Sequence, residues 1–356
     1  GFGLAIGMTG MIICGLNFPV IIIYSARPRN RIKVKDNDMK ESKNMRAQQS
    51  IPQAKYIFGA DGGFEIENYN QSKSFSNFFP GIAGTWGIPM WVFYVNRGQC
   101  ITSFGIEGKD KAILEFQPAN KAYRLTALQG FRTFIKIASK GKACFWEPFS
   151  STGQQTFGTR QKMRITSHDL TIEDVNPALG LKVEVNYFTV PKESFPALVR
   201  RVSITNISKK KDQLDIELAD GLPVIMPYGL RDWAAKNMSR TAEAWVKVDN
   251  IQSKAPFFHL NVEVSDTPDV NFIHSGNFYF SFDPSRPYQS KNPNGKLLDC
   301  IVNASSVFGD SLDFVCPEAF LLDKNFRVPI HQQTSNRTPC AMSFTKFRLS
   351  TNSQPK

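Results

Sequence analysis

The sequence predicts an all-β protein, a large antiparallel β-sandwich preceded by a single apolar helix and a basic linker. Three observations predict it. From Ala54 onward the apolar residues recur with period two rather than 3.6. Turn residues break that pattern at short, regular intervals. The only helical periodicity is a short patch around Leu230 to Thr241.

Taken in order, Gly1 to Tyr24 is almost wholly apolar, interrupted by Thr9, Asn17 and Pro19. About 20 apolar residues span a bilayer as a helix, so this run reads as a membrane segment. Between Ala26 and Ser50, eight basic residues stand against three acidic ones, a local excess of +5. By the positive-inside rule that cluster places the rest of the chain on the cytoplasmic side, anchored through residues 1–24. Residues 25–53 read as a polar linker and 54–356 as the β-domain.

In the β-domain, Phe64 to Tyr69 alternates, and Pro89–Val95 and Ile101–Ile106 flank the turn Asn96-Arg97-Gly98-Gln99. Further strands are expected at Ala112–Phe116, Phe131–Ala138, Lys162–Thr166, Leu181–Val190, Leu198–Ile207 and Leu214–Ala219. More follow at Ala244–Val248, Phe257–Val264, Phe278–Phe282 and Met342–Leu349. Asn176-Pro177 with Gly180, Lys209 to Asp212, Asp283-Pro284 and Asn292 to Gly295 supply the turns. The 29 phenylalanines favour strands. No repeat of fixed period is present.

Composition bounds the function. Hydrophobic content of 42% and charged content of 21% belong to a globular chain rather than a disordered one. Net charge is +12, but beyond the linker the remaining +7 is spread thinly, which excludes a nucleic-acid stripe. The six cysteines (Cys14, Cys100, Cys144, Cys300, Cys316, Cys340) have no CxxC pair and read as buried thiols. Five Asn-x-Ser/Thr sequons, at Asn70, Asn206, Asn237, Asn303 and Asn336, do not establish secretion in an Asn- and Ser-rich chain.

Catalytic signatures are scarce. His168, His259, His274 and His331 are scattered and lack metal-ligand spacing. Neither a nucleophile elbow nor a phosphate-binding loop occurs. Glu65 with Glu67, and Asp215 with Glu217, share strand faces as a glycosidase pair could, and as solvated strands routinely do.

The stretch Phe79 to Ile135 is the richest in chemistry. Aromatic rings crowd there among glycines, with amide and guanidinium side chains at the turns. Rings that stack on sugar C–H faces, beside groups that pair hydroxyls, suit a carbohydrate. The candidate contacts are Arg97, Gln99, Asn120, Lys121 and Arg132, with Trp86 or Trp91 as the stacking ring. For each ring alone, a place in a β-sheet core is the competing reading.

GIPMWVFYVNRGQ (Gly87–Gln99), AILEFQPANKAY (Ala112–Tyr123) and LQGFRTFIK (Leu128–Lys136) carry a resemblance. So do VRRVSITN (Val199–Asn206), ADGLPVIMPYG (Ala219–Gly229) and TPCAMSFTKFRLS (Thr338–Ser350). From about Tyr56 onward the chain resembles the amino-terminal region of the inverting β-glucoside phosphorylases, of 1,2-β-oligoglucan and cellobiose phosphorylase type. The resemblance implies a β-sandwich followed by a helical linker and an (α/α)₆ barrel. That barrel would hold the general-acid aspartate and the phosphate pocket. Inorganic phosphate is then the co-substrate, with no other cofactor, and attacks the anomeric carbon while the aspartate protonates the leaving oxygen. The implied partners are a β-glucan oligosaccharide, the catalytic barrel and a second copy in a homodimer. By this correspondence the chain reaches only the end of the sandwich, so no residue here inherits the acid or the phosphate ligands. Whether the chain is itself an enzyme is therefore left open. The apolar run departs from the soluble family members, although cyclic β-1,2-glucan synthases join membrane spans to a phosphorylase-like region. The alternative is a stand-alone, membrane-tethered sugar-binding β-domain.

Overall fold

Period-two patterning fixes which residues form strands and which face each side chain takes, but it does not fix which strands pair. The computed structural model describes residues 53–79, 90–139, 142–151, 157–191, 193, 195–208, 213–264, 268–284, 296–311 and 313–350. The apolar segment 1–24 and the linker to residue 52 lie outside them. Among the described residues no helix is long and apolar enough to cross a membrane.

The expected large β-sandwich is not what forms. The chain is mostly β, with 42% strand and 17% helix, but its strands make four small sheets set as four blades of a propeller-like ring. The first sheet runs β1 (Lys55–Phe58), β2 (Phe64–Glu67), β9 (Arg160–Ile165), β10 (Asp169–Asn176), β11 (Leu181–Thr189), β12 (Leu198–Asn206). The second runs β17 (Asp299–Ile301), β18 (Ala341–Leu349), β13 (Leu214–Leu222), β7 (Arg132–Ser139), β8 (Lys142–Trp146). The third is β3 (Ser76–Phe79), β4 (Met90–Val95), β5 (Ile101–Ile106), β6 (Ala112–Leu114), and the fourth β14 (Val246–Asp249), β15 (Phe257–Leu260), β16 (Asn277–Phe278). All pairings within the sheets are antiparallel.

The blades are not local repeats. β2 pairs with β9, and β13 with both β7 and β18. This long-range pairing agrees with the absence of a sequence repeat. It is also why strand order could not be read from turn spacing.

One core draws on every sheet. Ile66 and Val185 come from the first, Ile135 and Leu218 from the second, Val92 and Phe104 from the third, Val248 and Phe258 from the fourth. A satellite core gathers Phe134, Phe308, Phe320, Phe326 and Phe344.

Where the sheets meet, polar groups are buried and paired. Arg200, wholly buried, forms an ion pair with Asp220 and donates to Gln99 Oε1 and Thr133 Oγ1 (3.0 Å). Thr133 Oγ1 donates to Asp220 Oδ1 at 2.7 Å, and Tyr187 OH donates to the Gln99 carbonyl at 2.9 Å. The network ties β7, β11, β12 and β13 to the β4–β5 turn. Full satisfaction is what makes a buried charge pair tolerable.

One element departs from expectation and another follows it. An α-helix, α1 (Ala119–Gln129), occupies a stretch expected to be a turn, and lies against β4, β5 and β7. The Leu230–Thr241 patch forms as α2 (Asp232–Asn237) followed by a 3₁₀ turn, Ser239–Trp245. Two short helices, α3 (Ser305–Phe308) and α4 (Glu318–Leu322), cover the satellite core.

A candidate carbohydrate platform on the four-stranded sheet

On β4 the side chains of Met90, Val92 and Tyr94 point into the core, with 2%, 0% and 1% exposure. Alternation sends Trp91 and Phe93 to the other face, where they are half-buried. Phe93 stands opposite Phe78 of β3, and Trp91 opposite Gly105 of β5. Phe116, just after β6, closes the group. Ring centroids are 4.0 Å apart for Phe78–Phe93, 5.8 Å for Trp91–Phe93, 5.8 Å for Trp91–Phe116 and 5.6 Å for Phe93–Phe116. Phe78 is 58% exposed. Four touching rings on one sheet face, one of them largely in water, form an apolar patch of the kind that marks a binding surface.

Gly105 seats Trp91. A Cβ there would lie 2.7 Å from Trp91 Cζ2 and 2.5 Å from the Lys111 carbonyl. Gly105→Ala is expected to displace the indole and strand β6 at a cost of about 1–3 kcal/mol, read from denaturant unfolding.

The rim of the patch is charged. Lys236 Nζ lies 5.7 Å from the Phe116 ring centre, donates to its carbonyl at 3.1 Å, and pairs with Asp232. Lys109 Nζ reaches the other Asp232 oxygen at 3.0 Å. Burial opposes ionisation of Asp232, but hydrogen bonds and charge from the two lysines outweigh it and lower its pKa below the usual carboxylate value. Gln117 donates to Glu115 at 2.7 Å along the same edge. Rings with flanking amide, carboxylate and ammonium groups can take a pyranose face and pair its hydroxyls.

Of the residues singled out from sequence, Trp91 alone sits in this group; Trp86 lies outside the described residues. Gln99 is 3% exposed and belongs to the Arg200 network. Arg132, also 3% exposed, pairs with Glu147 through both carboxylate oxygens (2.6 and 2.9 Å) and lies 4.6 Å from the Phe134 ring centre. Its carboxylate partner is thus within this chain. Half-buried Arg97 donates to the carbonyls of Asn96 (2.6 Å) and Ser72 (3.3 Å) and lies 5.6 Å from the Tyr123 ring centre. Asn120 and Lys121 are exposed, but in the first turn of α1 rather than in a loop. Phe78 and Phe116 were not anticipated. The signal was present in MWVFYV, an unbroken apolar strand that must cover two faces at once.

The carboxylate pairs are neutralised across strands. Glu65 meets Lys162 (2.6 Å) and Arg164 (3.5 Å), and Glu67 meets Lys55 at 3.7 Å. Asp215 meets Arg348 at 2.8 Å, and Glu217 lies between Lys136 (2.8 Å) and Lys346 (2.5 Å). His259 bridges Asp249 (3.0 Å) and the Leu260 carbonyl (2.9 Å). Among the described residues no group of three or more His, Cys, Asp or Glu is placed to hold a metal. Burial pushes the Cys300 thiol up to about 12 and those of Cys100 and Cys340 higher still, which keeps them unreactive.

No protein-family model and no curated protein matches the chain. The class its geometry defines is a β-protein with a solvent-facing aromatic platform.

Proposed function

We propose that this chain supplies the non-catalytic, carbohydrate-associated β-portion of a glycoside phosphorylase. The reaction is phosphorolysis of β-glucosides such as 1,2-β-oligoglucans, releasing glucose 1-phosphate. In this reading the general-acid aspartate and the inorganic phosphate act in a helical barrel that is not among these residues, while this portion holds the glucan chain.

The observation that carries the reading is the Phe78–Trp91–Phe93–Phe116 cluster, open to water at Phe78 and edged by Lys236, Asp232 and Glu115. Two further facts agree with it. The motif GIPMWVFYVNRGQ, which carries the family resemblance, supplies strand β4 of the platform. The four paired carboxylates are committed to cross-strand lysines and arginines.

The test is calorimetric titration of 1,2-β-gluco-oligosaccharides into the wild type, Phe78→Ala and Trp91→Ala. Phe78 is mostly exposed, so its replacement leaves folding intact while removing one ring of the platform. The wild type is expected to bind, and each variant to bind about tenfold more weakly, equivalent to about 1.4 kcal/mol. Unchanged affinity in both variants contradicts the platform. Formation of glucose 1-phosphate by this polypeptide unaided contradicts the non-catalytic role.

A further inference from the structure

A concavity that shares no lining residue with the platform is also present. Its volume is about 290 Å³, near the lower end of the range of about 300–1,000 Å³ over which small ligands bind. Arg240, Glu243, Arg337 and Thr338 form one wall. Ser305, Ser311 and Phe314, from the segment around α3, form the other.

The backbone of the first wall is held in place. Asn336 N–H donates to the Val246 carbonyl at 3.1 Å, and the N–H and Oγ1 of Thr338 both donate to Glu243 Oε1 at 2.8 Å. Arg337 is therefore fixed by its backbone on both sides, while its guanidinium makes no hydrogen bond or ion pair with the described residues. Glu243 Oε2 accepts from Arg240 Nε at 3.2 Å, which leaves the outer N–H groups of Arg240 for other acceptors. Glu243 is thus consumed by Thr338 and Arg240, and among the lining residues one positive charge is left over, with the Asp313 carboxylate behind Ser311 on the opposite wall.

The second wall is also fixed. Gly309 and Phe314 both adopt positive φ, 67° and 57°. The Phe314 carbonyl accepts from Arg132, and its ring lies 5.0 Å from that of Phe308. A bulky residue held in the left-handed region stores strain that its surroundings must impose, and such strain concentrates at ligand clamps. Ser311 Oγ donates to Asp313 at 2.6 Å and so keeps its lone pairs for an incoming hydroxyl.

We infer that this cleft binds a phosphorylated monosaccharide, with the phosphate on Arg337 and Arg240 and the sugar ring between Phe314 and the two serine hydroxyls. A planar guanidinium with no partner of its own suits a phosphate by paired N–H donation. A backbone that needs no reordering lowers part of the usual cost of binding, leaving the arginine side chains to be ordered by the phosphate. The inference does not depend on the phosphorylase reading or on the platform.

The experiment is calorimetric titration of glucose 6-phosphate, glucuronate, inorganic phosphate and glucose into the whole chain, its Arg337→Ala and Arg337→Lys variants, and Phe314→Leu. Glucose 6-phosphate is expected to bind most tightly. Arg337→Ala should lose tenfold or more, Arg337→Lys less, and Phe314→Leu should lose affinity for glucose 6-phosphate but not for phosphate. Thermal melts without ligand separate binding loss from misfolding, since Arg337→Ala leaves every bond described above in place. Equal affinity for phosphate and glucose 6-phosphate, tighter binding of glucuronate, full binding by Arg337→Ala, or no binding at tens of millimolar overturns the inference.

Discussion

Replacing Asp220 with alanine is expected to destabilise the protein by about 3–5 kcal/mol, the usual consequence of stranding one member of a buried ion pair. The side chain of Arg200 is fully buried, and that of Asp220 is 3% exposed. Removing the carboxylate also strips the acceptor from Thr133 Oγ1, which links Gln99 and Arg200. The loss therefore reaches four strands and the β4–β5 turn together, and urea unfolding should show it in the midpoint. Arg200→Met combined with Asp220→Leu removes both charges and is expected to recover most of the stability, because a packed apolar pair avoids the desolvation cost. A double variant as unstable as Asp220→Ala would show that shape, and not charge pairing, governs this junction.

The second large effect is on pH dependence. Asp174, on β10, faces inward opposite Gln161 of β9. Its Oδ2 accepts the Phe149 N–H at 2.6 Å and Gln161 Nε2 at 3.1 Å, while its Oδ1 has no partner among the described residues. Burial dominates, and with the nearby Glu173 charge it outweighs the two hydrogen bonds and pushes the pKa up to about 7. The unfolded chain ionises this group near pH 4, the native chain near pH 7. Between those values the native state holds the proton that the unfolded state has released, so stability falls as pH rises and levels off above about 7. Three units at 1.36 kcal/mol each amount to about 4 kcal/mol. Asp232, Glu243 and Asp249, whose pKa values are lowered, act in the opposite sense and weaken the fold as pH falls below the ordinary carboxylate range. Asp174→Asn keeps an acceptor for both donors. It should abolish the loss between pH 4 and 7 and make the variant more stable than wild type at pH 8. Parallel stability–pH curves for the two proteins would contradict this.

The same residue explains part of what the sequence concealed. Strand β10 alternates at Leu170 and Ile172, then places Asp174 and Asn176 at the next inward positions, so the apolar period fails halfway and the strand goes unread. Helix α1 was hidden differently. Its apolar face is thin, but Pro118 before it and Gly130 after it are the punctuation a helix uses, and that signal was available. Most other strands were legible because Val, Ile and Phe recur on one face with turn residues between them. Their assembly into a ring of four small sheets was not legible, since β2–β9 and β13–β18 pairing bridges long stretches of chain.

The candidate platform was half legible for a related reason. Polar side chains at turns look available to a ligand, yet Gln99 and Arg132 are used to join sheets, where buried polar groups must find partners inside the protein. Trp91 was marked out by its own strand. Phe78 and Phe116 joined it only through cross-strand register and chain return, which no local pattern encodes.

The measurement that bears most directly on the central claim is a residue-resolved NMR titration with a 1,2-β-gluco-oligosaccharide. Shift changes concentrated on Phe78, Trp91, Phe93, Phe116 and Lys236 are the expected result. Saturable changes confined to another face of the molecule, or none at all at tens of millimolar, would contradict it.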